Sequence, residues 1–154
     1  MSRVPLVLLG LGIARVVAAA DSVVIGHGVG NSFLSEVPCP ATNICLDSRY
    51  IWTLVADRTV VGPAVKGEVR AIAIQHTEAT PQFVHSVELF VLRPIAEATL
   101  RSSSGADFYI DALSPRDTAG RYCLAMDPLE VNLHIATSNI HKVDGAYCFD
   151  ARLL

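Results

Sequence analysis

Two histidines and two glutamates fall close together in the chain, and their side chains could bind a metal ion or transfer protons. They are His76, Glu78, His85 and Glu88. If residues 74–87 form a strand-turn-strand hairpin, the two histidines come onto adjacent strands about 5 Å apart. A small hydrolase could then use either histidine with a neighbouring carboxylate. His85 also shares the parity of the apolar residues Phe83 and Val87, however. A buried, hydrogen-bonded core histidine is therefore a simpler interpretation of His85 than a catalytic or metal-binding one.

The sequence contains no recognised metal-binding or catalytic motif beyond these four candidates. The five histidines show no His-x-His or His-Glu-x-x-His spacing, so no bound metal is predicted. Asp107 and Asp111 flank Tyr109 on one parity of a strand, where carboxylates are commonly just solvated. We therefore predict no catalytic residue, and an enzyme is the less favoured class.

Three alternating glycines surround a histidine in the segment VVIGHGVGNS, residues 23–32. A phosphate-binding loop needs its glycines between a strand and a helix, and no helical pattern follows here. An oxyanion loop needs a nucleophile on a Gly-x-Ser-x-Gly turn, which the chain lacks. Alternating glycine in a strand more often marks an edge or a close approach of another backbone. No cofactor is therefore predicted.

The chain has four cysteines, an even number that suits a disulfide framework. They are Cys39, Cys45, Cys123 and Cys148. Three pairings are possible, and the short CPATNIC segment favours Cys39 with Cys45, which leaves Cys123 for Cys148. The longer of these loops would contribute about 3.5 kcal/mol. No pair has the two-residue spacing of structural zinc sites, so zinc is disfavoured.

Residues 1–20 have the layout of a secretory signal peptide. Arg3 precedes an apolar run at residues 4–14, and three alanines stand before Asp21. Arg15 interrupts the apolar run and argues against a membrane span, which needs about twenty apolar residues. We predict a leader over residues 1–20, a single β-domain over residues 21–154 and a periplasmic or secreted location. An uncleaved N-terminal anchor is the alternative.

The charge balance argues against a nucleic-acid or anionic membrane partner. The chain carries 12 Lys and Arg against 15 Asp and Glu, a net charge of −3. Removal of Arg3 and Arg15 with the leader leaves 10 against 15, a net charge of −5. Such a chain repels phosphate groups.

Hydrophobic alternation predicts an all-β fold. Residues 49–61 alternate cleanly, with Trp52 on the apolar parity. The runs 65–77 and 83–95 begin in the same way but end apolar on both parities, as long curved strands do when they pass between sheets. These three strands are expected to form an antiparallel meander.

Shorter elements are predicted on either side of this meander. A short strand and a loop stapled by the first cysteine pair are expected within residues 21–45. One short helix is predicted at residues 96–103, and short strands at 107–113, 121–126, 130–136 and near the C-terminus. Together these elements favour a small, curved, OB-like antiparallel barrel with one short helix, and a two-sheet β-sandwich is the alternative.

The spacing of a few residues resembles that of uncharacterised exported proteins of Gram-negative bacteria. The residues are Trp52, Gly62-Pro63, Gln75-His76 and Leu92-Arg93-Pro94, and the resemblance covers residues 45–95. It implies bacterial export and no particular function.

The function predicted from the sequence is an exported, non-catalytic binding or envelope-associated module. Its partner would be an unknown protein or saccharide, since arginines and aromatic residues are spread over the strand faces. The alternatives are the small hydrolase described above and a structural component that pairs through a sheet edge.

Overall fold

The computed structural model describes residues 20–40 and 46–154. The strands are β1 (Ser22–Glu36), β2 (Ser48–Val61), β3 (Gly67–Gln75), β4 (Val87–Pro94), β5 (Phe108–Pro115), β6 (Arg121–Leu124), β7 (His141–Val143) and β8 (Ala146–Asp150). The helices are α1 (Pro81–Ser86) and α2 (Ala98–Ser104), with 3-10 turns at Pro128–Val131, Thr137–Asn139 and Ala151–Leu153. Apart from Ala20, the predicted leader lies outside the described residues. No helix in the described ranges is long and apolar enough to cross a bilayer.

Five strands form a closed barrel in the order β1-β2-β3-β5-β4, and β4 returns to pair with β1. All neighbouring strands are antiparallel except β3 and β5, which pair in parallel at Ala71 with Phe108 and at Ile72 with Tyr109. The remaining strands form a separate sheet in the order β6-β8-β7. The predicted OB-like barrel is therefore confirmed, and the sandwich alternative is not adopted.

The apolar side chains that alternate along β2 point into the barrel and help to fill its interior, as the alternation predicts. Trp52 is fully buried, its ring centroid lies 6.5 Å from that of Phe90, and its indole N–H donates to Oε1 of Gln75 at 3.3 Å. Tyr50, Leu54 and Ala56 enter the same cluster. The interior is thus a packed core formed by alternate residues of the strands.

Strand β4 is apolar on both parities because both of its faces are covered. Phe90 and Leu92 point into the barrel, whereas Leu89 and Val91 belong to a second cluster outside it. The C-terminal part supplies the cover through Tyr122, Leu124, Phe149 and the buried row Val131, Leu133 and Ile135. The hydroxyl of Tyr122 donates to Oε2 of Glu88 at 3.0 Å, and this hydrogen bond joins the sheet to the barrel.

A third cluster covers the outer face of β2 and β3. Ile51 and Ile72 stand opposite each other on these strands and are buried by Ile95 and Ala106, which flank α2. Leu100 of α2 packs against the same cluster. The predicted helix at residues 96–103 therefore lies at Ala98–Ser104 and shields one barrel face from solvent.

Three predictions of local structure are wrong. The meander does not form, because β5 lies between β3 and β4 in the barrel. The run from residue 83 begins as α1, since Thr80 caps the helix by accepting from the N–H of Phe83 and Pro81 occupies its first turn. Residues 130–136 have the predicted alternation of burial but no strand, because Asn132 adopts a left-handed conformation at φ 57° after a 3-10 turn.

The N-terminal strand is longer than expected, because β1 runs for 15 residues to Glu36 before the connection to β2 begins.

The structure contains a disulfide between Cys123 and Cys148, which stand directly opposite each other on β6 and β8. The predicted bond between these two cysteines is thus confirmed. Cys39 is also disulfide-bonded, whereas its predicted partner Cys45 lies outside the described residues.

Removal of the disulfide between β6 and β8 should destabilise the protein strongly. The bond closes a loop with a sequence separation of 25, and its loss is expected to cost about 3.5 kcal/mol through the greater entropy of the unfolded chain. Urea unfolding of a double Cys123→Ala, Cys148→Ala variant measures this loss. A loss below about 1 kcal/mol would contradict the importance given to this bond.

Candidate functional site

Two of the three alternating glycines allow close packing rather than chemistry. A Cβ atom on Gly26 would collide with the carbonyl oxygen of Val55 on β2, and one on Gly28 would collide with that of Val84 on α1. The interpretation of this segment as a close backbone approach is therefore confirmed. Helix α1 consequently lies directly against the middle of β1.

His85 belongs to this contact and not to the barrel core. It lies on α1, and its Nδ1–H donates to the carbonyl oxygen of Gly28 at 3.1 Å. The predicted buried core position of His85 is wrong, because residues 81–86 form a helix and the side chain stands at its exposed surface.

The other three candidate residues have different partners. Nδ1 of His76 lies 2.9 Å from Oδ1 of Asp47 in an exposed pair, and Glu88 accepts from Nη2 of Arg116 at 2.9 Å. Glu78 borders a groove beside β1. The hairpin that would have set His76 and His85 on adjacent strands is not formed, because β3 and β4 are not neighbours.

In the part of the chain that the structure describes, no group of three or more His, Cys, Asp or Glu side chains is placed to hold a metal ion. Of the four residues predicted from the sequence, Glu78 borders the candidate site, which is defined mainly by exposed apolar side chains.

Five large apolar side chains are exposed at one end of the barrel, which we call the apolar end. They are Val29, Phe33, Leu46, Ile74 and Phe83, with between 41% and 68% of their surface accessible. They lie on the second half of β1, just before β2, at the end of β3 and on α1. Exposed apolar residues collected in one region mark interaction surfaces, whereas scattered ones need no explanation.

Contacts along one stretch of β2 connect the members of the apolar end. Phe33 stands opposite Tyr50, with ring centroids 5.8 Å apart in a T-shaped arrangement. Ile74 stands opposite Arg49. The ring centroid of Phe83 lies 6.4 Å from that of the buried Trp52. Phe33 and Phe83 therefore lie on the face of β2 that carries Tyr50 and Trp52, whereas Ile74 lies on the other face at the same end of the barrel.

A groove separates β1 from α1 at the same end. It has a volume of about 390 Å³ and is lined by Val29, Gly30, Asn31, Glu78, Ala79, Pro81 and Val84. Among the described residues, two buried side-chain donors at this end, Nδ2 of Asn31 and Nε of Arg49, have no hydrogen-bond partner within the protein. Such donors are uncommon in native proteins.

Sequence reasoning missed most of this site. The aromatic residues expected on the strand faces included Tyr50, which is buried, and Trp52 is buried as its place on the apolar parity indicates. Phe33 was hidden in a segment interpreted as a loop, and its exposure depends on the unexpected length of β1. The alternating glycines were the available signal, since they indicated that another backbone approaches β1 here.

A charged cluster on the far side of the barrel has a structural role. Arg93 forms a two-pronged hydrogen bond with Asp111, at 2.8 and 3.1 Å, and its guanidinium carbon lies 4.6 Å from the ring centroid of Tyr109. Burial raises the pKa of the nearby Asp21 carboxyl, with Asp111 adding to the increase and Arg93 opposing it. Asp21 immediately precedes β1, so this cluster adjoins the point where the barrel closes.

Comparison with known proteins gave no match to any family model, curated protein or solved structure. The fold and the site together define a small OB-like barrel with exposed apolar side chains at one end.

The raised pKa predicts that an Asp21→Asn variant is more stable than the wild type at neutral pH. The folded state retains the proton of Asp21 above pH 3.8, the ordinary value. The stability associated with that proton is therefore present in acid and lost as the pH rises through the folded-state pKa. Asparagine cannot ionise, so its advantage should appear at pH 7 and vanish near pH 3.

Urea unfolding of both proteins at the two pH values measures this difference. Glu97→Gln, which changes an exposed glutamate that makes no side-chain capping hydrogen bond at the start of α2, is the control. An Asp21→Asn variant that is less stable than the wild type at pH 7 would contradict the burial of this charge.

Proposed function

We propose that the protein is a non-catalytic binding module that works outside the cytoplasm and holds a partner protein at its apolar end. The observation that carries the proposal is the exposure of Phe33 and Phe83 beside Tyr50 and Trp52 on one face at the beginning of β2. Water-exposed surface of this kind gains free energy when a partner covers it.

The composition of the apolar end favours a protein over a saccharide. Sugars are usually held by aromatic rings combined with several polar groups. Here the rings with polar tips, Tyr50 and Trp52, are buried, and the exposed rings at this end are the phenylalanines Phe33 and Phe83. Aromatic and aliphatic side chains without polar tips suit the apolar centre of a protein interface.

The rest of the barrel surface supports the same location for binding. Helix α2 and its flanking residues bury Ile51 and Ile72 on the outer face of β2 and β3. The C-terminal sheet covers Leu89 and Val91 of β4. These two faces are covered by the chain itself, whereas the side chains of the apolar end are exposed in the part of the chain that the structure describes.

Two features support a location outside the cytoplasm. The bond between Cys123 and Cys148 belongs to a class of cross-link that persists in oxidising compartments and is rare in the cytosol. The leader-like pattern of residues 1–20 agrees with export to the periplasm or the medium.

Site-specific photo-cross-linking tests the proposal in cells that produce the full chain. A photoreactive phenylalanine analogue at position 33 should give a cross-linked adduct of discrete mass, because Phe33 is 57% exposed at the centre of the apolar end. The same analogue at Val143, which is 42% exposed on β7, is the matched control and should give none.

Phe83→Ser should reduce the yield of the adduct formed from position 33, because it removes a second apolar contact of the same surface. A lack of adduct at position 33, or equal adducts at positions 33 and 143, would overturn the proposal.

A further inference from the structure

Strand β1 has a partner on both sides for only part of its length. It pairs with β2 from Val23 to Glu36, but with β4 only from Ser22 to Ile25. Helix α1 then lies against β1 at Gly28. Beyond this point, within the described part of the chain, no strand pairs with the β4-side edge of β1.

An open strand edge presents alternate N–H and C=O groups that can pair with another extended chain. The open part of β1 carries no lysine or proline, the residues that commonly protect such edges. Register shifts after Gly28 and after Phe33 leave a regular run of four residues, Gly30 to Phe33. The edge is therefore suited to a short added strand rather than to open-ended aggregation.

The groove between β1 and α1 runs beside this open edge. Val29 and Gly30 of β1 line one wall, and Pro81 and Val84 of α1 line the other. A Cβ atom on Gly30 would meet no other atom within 4 Å, so a side chain placed at this groove-lining residue would project into open space off the face of the strand. An extended chain in the groove would lie with α1 on its far side.

Asn31 supplies a polar group to the groove. Its Nδ2 atom is buried and has no hydrogen-bond partner, although Asn31 itself lines the groove. A backbone carbonyl oxygen of a chain in the groove would provide the missing acceptor after a rotation of the amide. This contact would offset the cost of the unpaired donor.

Glu78 is the one ionisable residue among the groove-lining residues, and it has no ion-pair partner among the described residues. A carboxylate at the margin of an otherwise apolar groove favours a ligand with a positive charge at that position. The net charge of the chain, −3, acts in the same direction.

We propose that this groove takes up an extended segment of the partner protein as an added strand on β1, with a lysine or arginine of that segment beside Glu78. This inference rests on the proposed function and assigns to it a binding mode and a ligand chemistry. Backbone hydrogen bonds to β1 supply the affinity, and the charge near Glu78 supplies the selectivity.

Fluorescence anisotropy with labelled peptides tests the binding mode on the full chain. The probe is a capped octapeptide of alternating valine and threonine with one central lysine. Methylation of its backbone nitrogens at one set of alternate residues should abolish binding, because those N–H groups face β1. Methylation at the other set should leave binding nearly unchanged.

Variants of the protein test the location and the charge preference. Gly30→Trp should block the groove, whereas Gly30→Ala, which enters open space, should bind normally. Replacing the peptide lysine by glutamate should weaken binding to the wild type by on the order of tenfold. Glu78→Gln should remove most of that preference, and the control Glu130→Gln should retain it.

Several outcomes would overturn strand addition at β1. They are no binding of the lysine peptide up to about 1 mM, equal effects of the two methylation patterns, or normal binding by Gly30→Trp. Concentration-dependent dimerisation that Gly30→Trp abolishes would assign the edge to a second copy of this chain and would equally overturn the proposal. If the cross-link at position 33 persists while the peptides fail, the proposed protein-binding function stands and only the mode is wrong.

Discussion

The structure depends on how β1 divides its pairing between two neighbours. Only residues 22–25 join β4, and this short seam closes the barrel. At Gly26 and Gly28 the missing side chains let β2 and α1 approach the backbone of β1 so closely that any Cβ atom would collide with them. The strand therefore leaves β4, packs against α1 and continues to Glu36 with β2 as its one strand partner. An apolar end with an open edge is the direct result.

The chain covers the remaining barrel surfaces with its own elements, and this coverage limits where a partner can bind. The outer side of β4 lies under the C-terminal sheet, and the hydroxyl of Tyr122 in that sheet donates a hydrogen bond to Glu88 of β4. The outer side of β2 and β3 lies under α2. Within the described residues, neither of these covers reaches the end formed by β1, the start of β2 and α1. The same end holds the unpaired donors of Asn31 and Arg49.

Much of the barrel could be predicted from the sequence, because burial on one face leaves a simple alternation. The clean pattern around Trp52 identified β2, and the short spacing of Cys39 and Cys45 left Cys123 and Cys148 for the disulfide that joins β6 to β8. The sequence also shows that β4 is apolar on both parities. The cause is that the C-terminal part of the chain covers its outer face, rather than that the strand passes from one sheet to another. Strand order was not predictable in the same way, since alternation carries no information about which strand lies beside which.

The candidate site was less predictable for a related reason. Thr80 and Pro81 form a helix start that overrides the strand-like pattern of the following residues, so α1 and the position of His85 were missed. Residues 130–136 alternate in burial while packing as a loop, which shows that alternation records the covered side and not the backbone pairing. Phe33 became recognisable as a surface residue only when the length of β1 and its pairing with β2 were known.

Amide hydrogen exchange along β1, resolved residue by residue, tests most directly whether the strand has one open edge. The account predicts strong protection of nearly all amides from Ser22 to Ile25, followed from Gly30 to Phe33 by protection of alternate amides only, those that donate to β2. Uninterrupted strong protection through Phe33 in the isolated protein would show that another element already covers this edge, and would contradict the account.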